Sequence, residues 1–543
     1  MSSNKRCRPP SLPLEAGRGS IRVLLVDVGS ARTEINEPIG IGALSSYLRA
    51  HLKSRVTVRQ HFVQLSGLIK GIELAEADVV GVSTRLATMG RLQEVLASWH
   101  TIPKPWRPVL VLGGVIATFA TEELLQRAPE AICVVGEGEE ALVGIVDGVV
   151  RGNRDGELLR RFLLNNHVPN VAFVLKGDLC TTPRRLLDLA SSPAPDRQFA
   201  KAVAQVGGIV RAEASRGCAW GRCEFCAIQY KYCNSISWRP VPTDRVIREL
   251  EELSALGIRS PFYTDEDFVG NDPLRTVELA RGIRAAREGG RIAPEMNLYI
   301  DARVDTVLAL PRDGVPSGKD VFRELRAAGL REVFLGVESG AKEQVRRYGK
   351  PATASRNLAA IELLQGLGLT LDIGFIMFDP EMNLSELRAN LEFVEAAGLR
   401  FHDARLTKKL RVEPGTPVLR NYGERNLLTG PLDIDDLTYP YRWLDSRVAA
   451  VHDRFAIWER ERSDVIYELQ ARTRGEVGSE AIRGQRRRHL GDLRSLDLDV
   501  LWSLVGAAEN NRDPSQVDLS AFSQIRDCLL RSENGLHEET PAA

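Results

Sequence analysis

Short apolar runs that end in a glycine or a polar residue, each followed by a helical pattern, recur along most of this chain. IRVLLVDVG at 21–29 is the first, and ADVVGVST at 77–84, PVLVLGG at 108–114 and AICVVGEGEEAL at 131–142 repeat it. Uninterrupted apolar strands are typical of a parallel sheet that is covered on both faces. Their alternation with helices therefore predicts an α/β domain, a Rossmann-like doubly wound sheet, over residues 20–150.

The same alternation resumes beyond residue 206. Six strand–helix units fit between residues 206 and 420, and such a run predicts a partial (β/α)6 barrel of the TIM type. Residues 421–543 carry apolar side chains at helical spacing, which predicts a helical C-terminal region. Residues 151–205 contain a hairpin pattern and turn-rich stretches, and we expect a linker there. The six strand candidates are IVRAEAS, PFYTDED, MNLYIDARV, EVFLGVES, LDIGFIMF and ARLTKKLRV.

Length and charge limit the classes of function. A chain of 543 residues is too long for one core, so two to four domains are expected. Lys+Arg and Asp+Glu both number 72, and this balance argues against a broad nucleic-acid surface. No stretch reaches the roughly 18 apolar residues of a membrane span, and residues 1–19, a predicted disordered tail, lack a signal peptide's apolar core. We therefore expect a cytoplasmic protein with neither nucleic-acid nor membrane partners, in a reducing compartment where disulfides do not persist.

Three of the eight cysteines lie together in SRGCAWGRCEFCAI, directly after the first strand of the predicted barrel. Clustered cysteines in a reducing compartment indicate metal or redox chemistry. Thiolates from Cys218, Cys223 and Cys226 can each ligate one iron of a cubane and leave the fourth iron open. Gly217 and Gly221 allow the backbone to fold closely around such a group.

Three other interpretations of this spacing stay open. The cysteines could form a zinc site that a distant ligand completes. They could form a closed four-cysteine cluster with Cys233, which would serve electron transfer alone. They could also pack together without any metal.

The cysteine motif and the segments after it resemble the radical SAM superfamily, in particular the subgroup with an N-terminal cobalamin (B12)-binding-type domain. The superfamily's usual motif is C-x3-C-x2-C. This chain has one residue more in the first gap, and Phe225 stands where the motif's aromatic residue belongs. The later strands of the superfamily resemble, in order, FYTDEDFVG, MNLYIDARVD, EVFLGVESGAKEQV, FIMFDPEMNLSEL and RVEPGTPV.

The resemblance implies a radical SAM enzyme. Cys218, Cys223 and Cys226 would hold a [4Fe–4S] cluster, and its open iron would bind the amino and carboxylate groups of S-adenosyl-L-methionine (SAM). An electron from a reductant such as flavodoxin or ferredoxin would cleave SAM to methionine and a 5′-deoxyadenosyl radical. That radical would remove a hydrogen atom from an unactivated carbon of a small-molecule or peptide substrate.

The resemblance also assigns individual residues to SAM. Ala227 and Ile228 would meet the adenine, and Phe225 would lie beside the cluster. Arg303 would bind the SAM carboxylate, since a guanidinium fork suits that group. Glu338, on the fourth strand, would contact other polar parts of SAM. The alternative for Arg303 is a structural ion pair.

Three acidic residues end the second strand of the predicted barrel. Asp265, Glu266 and Asp267 would face SAM, the cluster or the substrate, and we assign a catalytic role to Asp265 and Asp267. The alternative for each of these carboxylates is an ordinary polar residue with local partners at a strand end.

The N-terminal domain matches the subgroup in part. EPIGIGALSSYLRAH and VLGG…VVGEGEEAL resemble its glycine-rich segments, and glycines at strand ends let a ligand approach the backbone. The cobalamin motif D-x-H-x-x-G is missing: after Asp27, Gly29 takes the place of the histidine and Arg32 that of the last glycine. Two alternatives stay open. The domain could bind cobalamin without this histidine, or it could serve only as a scaffold. The residues assigned to this cofactor are Gly113, Gly114, Gly136, Glu137 and Gly138.

Three hypotheses of function follow. The first is cobalamin-dependent methyl transfer to an unactivated carbon. The second is a cobalamin-independent radical oxidation, rearrangement or cleavage of a natural-product intermediate. The third is an iron–sulfur electron carrier or sensor without catalysis.

Overall fold

The computed structural model describes residues 20–534 apart from 30–33, 153–154, 403–405, 462–464, 467–468, 471–472 and 474–479. The predicted tail at 1–19 lies outside the described residues, and so does Arg32. The chain divides into two compact units. The first comprises Met1–Ala31, Pro38–Phe199 and Ile434–Leu437, and the second comprises Arg32–Glu37, Ala200–Asp433 and Thr438–Ala543. The domain boundaries expected at 205 and 420 stay predictions.

The first unit is built on a seven-stranded sheet in the order β2-β1-β3-β4-β5-β6-β7. The first five strands in this order run parallel, as the apolar runs predict, and β6 and β7 are antiparallel. The two neighbours of β1 come later in the chain, so the strand order reverses there as in a doubly wound fold. The strands are β1 (Ile21–Asp27), β2 (Val56–Phe62), β3 (Val79–Thr84), β4 (Val109–Gly114), β5 (Ile132–Val134), β6 (Val171–Leu175) and β7 (Asp178–Thr181).

Helices cover this sheet and complete its core. Leu48, Ile145 and Leu163, from three different helices, are fully buried in one apolar cluster with the strand residues Val23 and Val79. The helices are Ile39–Leu52, Val63–Ser66, Gly71–Ala75, Met89–His100, Val115–Phe119, Thr121–Arg127, Glu139–Val150 and Gly156–Asn165, with 3-10 turns at Lys53–Arg55 and Lys104–Trp106.

The hairpin predicted within residues 151–205 is present, and most of this segment forms regular structure of the first unit rather than an irregular connection. Residues Gly156–Asn165 form a helix, and β6 and β7 extend the sheet as a hairpin. Lys176 and Gly177 turn the hairpin with left-handed φ angles of 55° and 93°, and Phe173 is fully buried. The segment looks irregular in sequence because β7 is an exposed edge strand without a continuous apolar face.

The second unit contains a five-stranded parallel sheet in the order β14-β13-β12-β11-β8, the open wall of a partial barrel. A separate two-stranded ladder joins β9 to β10. The α/β class is confirmed. The strands are β8 (Arg211–Ala212), β9 (Ser215–Gly217), β10 (Trp238–Pro240), β11 (Phe262–Tyr263), β12 (Leu298–Arg303), β13 (Leu330–Glu338) and β14 (Thr370–Phe375).

The sixth predicted strand, ARLTKKLRV, is reduced to one parallel bridge in its described part. Lys409 pairs with Phe378, and the Leu410 amide donates to the Phe378 carbonyl at 2.8 Å. Phe378 lies beyond the end of β14, so this segment meets the chain where the ladder has already stopped. The barrel wall therefore has five full strands among the described residues.

The C-terminal region is helical, as predicted. Its described helices are Pro417–Glu424, Ser446–Arg460, Glu480–Glu509 and Ser520–Asn534, with a 3-10 turn at Pro514–Gln516. Among the described residues, every helix falls short of the length and apolarity that a membrane crossing demands. The other helices of this unit are Ala200–Gln205, Ile228–Lys231, Thr243–Ala255, Pro273–Glu288, Val304–Val307, Gly318–Ala327, Lys342–Arg347, Ala354–Gly366 and Leu384–Ala396.

Candidate cofactor site

The three clustered cysteines lie on one loop, residues 218–237, which we name the cysteine loop. Its two ends are held together because β9 and β10 pair antiparallel, with Gly217 opposite Trp238. Gly217 has a φ of 93°, and a Cβ atom there would lie 1.8 Å from the Ser237 carbonyl oxygen. Only glycine fits such a position, so the sequence itself fixes how the loop closes.

The three thiols are close enough to act on one another. Burial raises the pKa of each, to about 12 for Cys223 and about 11 for Cys226. Cys218 and Cys226 raise the pKa of Cys223 further, and Cys218 does the same to Cys226. Each thiol thus disfavours the ionised form of the others. A bound metal group would supply positive charge that favours the thiolates, so three such thiols are suited to metal binding.

The donor set, three thiols on one loop, has the residue types that a cubane with one open iron requires. No group of three or more His, Cys, Asp or Glu side chains is arranged to hold one metal ion in the described parts of the chain. A cubane instead takes one thiolate at each iron, so its sulfurs surround a larger body. Cys233 follows on the same loop at a left-handed φ of 60°, so the closed-cluster alternative is decided by experiment.

Two buried carboxylates hold the backbone that leads into the cysteine loop. Asp265 accepts hydrogen bonds from the Ala214 amide at 3.0 Å and from the Ser215 hydroxyl at 2.5 Å. Asp267 accepts one from the Ala219 amide at 3.2 Å. The two aspartates are 1% and 0% exposed, and burial raises the pKa of both. The oxygens of Asp265 thus bind the backbone just before the loop and those of Asp267 bind its start, as the structural alternative expected, and the catalytic role of both stays a prediction.

Glu266, between these aspartates, adds a third attachment to the loop. Its carboxylate accepts from the Gly217 amide at 2.9 Å, from the Lys231 ammonium at 2.5 Å and from the Tyr232 hydroxyl at 3.0 Å. Burial raises the pKa of Glu266, but the charge of Lys231 and the hydrogen bonds from Lys231, Gly217 and Tyr232 together outweigh burial, and the pKa is lowered. Three successive residues of the chain therefore bind the backbone at the start of the cysteine loop and, through Lys231 and Tyr232, a later part of it.

Arg303 ends β12 and lies between two carboxylates. It binds Asp305 through two bonds, from Nε at 3.0 Å and Nη2 at 2.8 Å, and its Nη1 contacts Asp267. Its side chain is 16% exposed. Burial lowers the pKa of Arg303, yet the hydrogen bonds that it donates to Asp305 and the negative charge of Asp267 raise the pKa overall. The ion pair that was the alternative for Arg303 is present, and binding of SAM stays a prediction.

Glu338 ends β13 in an unusual backbone conformation. Its φ of 68° is rare for a residue with a side chain, and the pairing of β13 with β14 shifts register between Gly336 and Glu338. Lys350 holds the carboxylate, with Nζ at 2.9 Å from Oε1 of Glu338 and at 2.7 Å from the Gly336 carbonyl. The sequence does not predict this role of Lys350, because a lysine just after a helix is ordinarily solvated.

The segment before Lys350 packs on the cysteine loop. The Tyr348 carbonyl accepts from the Glu224 amide at 3.0 Å, and the Gly349 carbonyl accepts from the Trp220 indole at 3.2 Å. Phe225, the aromatic residue of the motif, packs edge-on against Tyr348 with ring centroids 5.0 Å apart. The loop is therefore bound on this side by both backbone and ring contacts.

Two further contacts fix the opposite side of the loop. The Val418 amide donates to the Glu224 carbonyl at 3.0 Å. Gly415, in RVEPGTPV, has a φ of 76°, and a Cβ there would lie 2.4 Å from the Tyr230 ring. The segment thus needs glycine to pass the loop.

Ala227 and Ile228 start the short helix Ile228–Lys231 directly after Cys226. Ala227 is buried and Ile228 is half-buried. The Ile228 amide bonds to the Cys226 sulfur and opposes the rise in pKa that burial causes. These two residues therefore lie beside the thiols, and their contact with adenine stays a prediction.

A cavity of about 470 Å³ lies along the barrel wall. The rings of Phe262 and Tyr299 stack on its lining with centroids 3.9 Å apart. Its size is typical of a small-molecule pocket. Sequence analysis missed it, since its charged residues come from separate strands and form no motif. They are Arg211, Asp301, Glu332, Asp372 and Lys408.

In the first unit, Asp27 ends β1 where the cobalamin motif would begin. It is buried and accepts from the Gly29 amide at 2.8 Å and from Arg85, through Nε at 3.2 Å and Nη2 at 3.0 Å. A side chain at Gly29 would meet Gln64 at 2.4 Å. The space that a side chain at this position would need is therefore filled by the Gln64 side chain.

The turn residues after β4 and β5 lie at the same edge of the sheet. The Gly136 amide donates to the Thr118 hydroxyl at 3.0 Å. The Glu137 carboxylate accepts from the Leu187 amide at 2.7 Å, and Gly138 caps the helix Glu139–Val150. The turn is thus held by its own chain, with backbone exposed along a carboxyl edge where such sheets bind ligands.

Gly113 and Gly114 offer a matched pair of variants. Gly114 has φ 91° and ψ −165°, a conformation open to glycine alone, and a Cβ there would lie 2.3 Å from the Thr84 carbonyl oxygen. Gly114→Ala should therefore lower the free energy of unfolding by at least about 2 kcal/mol. Gly113→Ala, whose Cβ would meet nothing closer than 4.0 Å, should leave it unchanged. Urea unfolding compares the two, and equal effects would contradict this geometry.

The predicted site residues fall into two groups. One surrounds the cysteine loop in the second unit: Cys218, Cys223, Cys226, Phe225, Ala227, Ile228, Asp265, Asp267, Arg303 and Glu338. The other lies at the carboxyl edge of the first unit's sheet: Gly113, Gly114, Gly136, Glu137 and Gly138.

Comparison with known proteins matches both units. A family model described as the radical SAM superfamily matches residues 213–394, and one described as the B12 binding domain matches residues 26–146. The chain is 27% identical over 376 residues to 4′-phospho-dehydrooxetanocin synthase of Priestia megaterium, which covers 66% of this chain and 48% of that protein. It is 27% identical over 272 residues to hopanoid C-3 methylase of Methylococcus capsulatus, with coverage of 50% and 47%. The chain thus spans about half the length of these curated relatives.

Solved structures show the same fold. The cobalamin-dependent S-adenosylmethionine radical enzyme OxsB, with aqua-cobalamin and S-adenosylmethionine bound, matches with a TM-score of 0.76 and 20% identity. The match covers 95% of this chain and 80% of that one. The radical S-adenosylmethionine methyltransferase TsrM from Kitasatospora setae, with cobalamin and a [4Fe–4S] cluster bound, has a TM-score of 0.61 and 16% identity, with coverage of 91% and 100%.

The matches confirm the resemblance to radical SAM proteins with a B12-binding domain that the sequence motifs indicate. A radical SAM domain implies a [4Fe–4S] cluster and SAM as cofactors, and the three thiols of the cysteine loop fit such a cluster. The N-terminal sheet is matched as a B12 binding domain although the histidine motif is missing. The chain therefore contains a radical SAM domain, residues 213–394, preceded by a B12-binding domain, residues 26–146, which is the domain order of the subgroup that the motifs resemble.

Proposed function

We propose that this radical SAM enzyme is cobalamin-dependent and transfers a methyl group to an unactivated carbon of a small-molecule or peptide substrate. The observation that carries the proposal is the presence, in one chain, of a three-thiol loop and a B12-binding sheet with a glycine-lined carboxyl edge. Two relatives, a hopanoid methylase and the methyltransferase TsrM, support methyl transfer by their activities. OxsB and TsrM support cobalamin by what they bind.

Cys218, Cys223 and Cys226 would hold the cluster, with Ala227 and Ile228 beside the adenine of SAM. When bound, the reduced cluster supplies the electron that cleaves SAM, and cobalamin supplies a carrier for the methyl group. The chain's own part is to place these groups and to keep water out. The contacts of the cysteine loop with three other segments make it a rigid support for this purpose.

Arg303 can still serve SAM although two carboxylates bind it. A guanidinium has five N–H donors, and the contacts with Asp267 and Asp305 account for one donor on each of its three nitrogens. The second hydrogens of Nη1 and Nη2 stay available for the SAM carboxylate. We propose that Asp267 and Asp305 orient the guanidinium, while Asp265, Glu266 and Asp267 position the loop rather than exchange protons.

The substrate is proposed to be a small molecule that enters the barrel cavity. Aromatic rings and charges of both signs line this cavity, so a ligand with both apolar and polar parts would suit it. Electrons are proposed to come from a flavodoxin or ferredoxin.

Reconstitution tests the proposal. The protein is loaded anaerobically with iron, sulfide and hydroxocobalamin and then desalted, and we expect a corrin absorbance that stays with the protein. With SAM and a low-potential reductant, both 5′-deoxyadenosine and S-adenosylhomocysteine should form. A protein that retains no corrin would contradict the proposed cobalamin dependence.

One observation favours a second candidate function. Gly29 stands where the cobalt-binding histidine would be, and Asp27 is engaged by Arg85. The second candidate is a cobalamin-independent radical oxidation, rearrangement or cleavage. In the same assay it predicts 5′-deoxyadenosine without S-adenosylhomocysteine.

A further inference from the structure

Lys350 follows a turn that is fixed against the cysteine loop. The carbonyl of Gly349 accepts from the Trp220 indole at 3.2 Å. Gly349 itself has a φ of 63°, and a Cβ there would lie 3.2 Å from the Arg222 carbonyl oxygen. Trp220 and Arg222 both belong to the stretch between Cys218 and Cys223. The backbone therefore places Lys350 next to the stretch between Cys218 and Cys223.

The ammonium group of Lys350 is buried at this point. The side chain is 9% exposed, and Nζ donates to Oε1 of Glu338 at 2.9 Å and to the Gly336 carbonyl at 2.7 Å. Burying a lysine is costly unless its charge is compensated, and Glu338 supplies one compensating charge.

A cluster bound by three thiolates would bring more negative charge to this place. Its core gains one electron on reduction, from an external low-potential flavin or iron–sulfur protein, and no proton or covalent bond is exchanged. A nearby cation in surroundings of low dielectric constant favours the more negative, reduced form.

We propose that the positive charge of Lys350 stabilises the reduced form of the cluster and so raises its reduction potential. This inference rests on the proposed cluster at Cys218, Cys223 and Cys226. It adds a role for a residue that lies outside the cysteine motif and contacts Glu338, the residue expected to bind SAM.

The test compares Lys350→Met, which removes the charge, with Lys350→Arg, which keeps it. Each protein is reconstituted anaerobically with iron and sulfide, and the cluster is titrated with a chemical reductant while its EPR signal is followed. In Lys350→Met the equilibrium constant for one-electron reduction should fall about tenfold, a shift of 59 mV to lower potential. Lys350→Arg should stay close to the wild type. An unchanged potential in a fully loaded Lys350→Met protein would overturn the inference.

A second variant decides the matter if Lys350→Met loses the cluster. Glu338→Gln removes the negative charge next to Lys350 and leaves the ammonium in place, so the potential should rise. If it does not rise, the inference is wrong. A wild-type protein that binds no cluster would instead refute the proposed function, and the two failures can be told apart.

Discussion

Replacing any one of Cys218, Cys223 and Cys226 with alanine is expected to abolish cluster binding, whereas Cys233→Ala is expected to leave it intact. Each of the three thiolates would hold a separate iron, so the loss of one exposes the cubane to hydrolysis. After anaerobic reconstitution, iron and sulfide should fall to background in the three variants, and the EPR signal of the reduced cluster should vanish. In Cys233→Ala both should match the wild type.

The cysteine variants also discriminate among the alternatives. If Cys233→Ala loses the cluster, a closed four-cysteine site is the correct interpretation, and SAM then has no open iron. If the protein binds zinc tightly and no iron, the zinc interpretation is correct. Circular dichroism of the metal-free variants serves as the control, because alanine in place of a half-buried thiol should leave the fold unchanged.

Asp267→Ala is expected to have the largest effect on stability among the carboxylates near the loop. Asp267 is fully buried and contacts Arg303, and its removal leaves that guanidinium and the Ala219 amide without this partner. Breaking such a buried pair costs about 3–5 kcal/mol. Asp305→Ala is the matched control, because Asp305 binds the same guanidinium but is 25% exposed, so its loss should cost about 1 kcal/mol or less.

Urea unfolding of the metal-free protein, followed by tryptophan fluorescence, compares these two variants. Trp238 reports on the region, since its indole donates to the Asp267 carbonyl at 2.7 Å. We also expect Asp267→Ala to retain less iron after reconstitution, because the loop loses an attachment next to Cys218. Equal and small effects of both substitutions would show that Asp267 does not hold the loop.

The sequence predicts the repeated elements of the fold and fails where a segment lacks periodicity. β1, β3 and β4 are recognisable because both of their faces are buried. β7 is an edge strand with mostly exposed side chains, so the sequence predicts its hairpin but not that the hairpin extends the sheet. The sixth barrel strand matches the pattern in sequence, but Lys409 reaches the sheet only beyond the end of β14.

The same limit applies to the site. Cys218, Cys223 and Cys226 are visible in the sequence because their chemistry depends on residue type and close spacing. The partners of Asp265 lie about 50 residues earlier in the chain, and those of Lys350 lie on β13. Only the fold brings these groups together. Local patterns therefore identify ligands, whereas the groups that position or compensate them come from tertiary structure.

The ladder between β9 and β10 bears on the extra residue in the first gap of the cysteine motif. Since Gly217 and Trp238 tie the loop at its base, the distance along the chain between two thiols does not by itself determine where they stand. An added residue near Gly221, where a Cβ would make only ordinary contacts at 3.4 Å or more, can be accommodated while the paired base of the loop keeps its place. Searches for related enzymes should therefore tolerate variation in cysteine spacing. They should give weight instead to Gly217 and to the acidic residues 265–267, which hold the base of the loop.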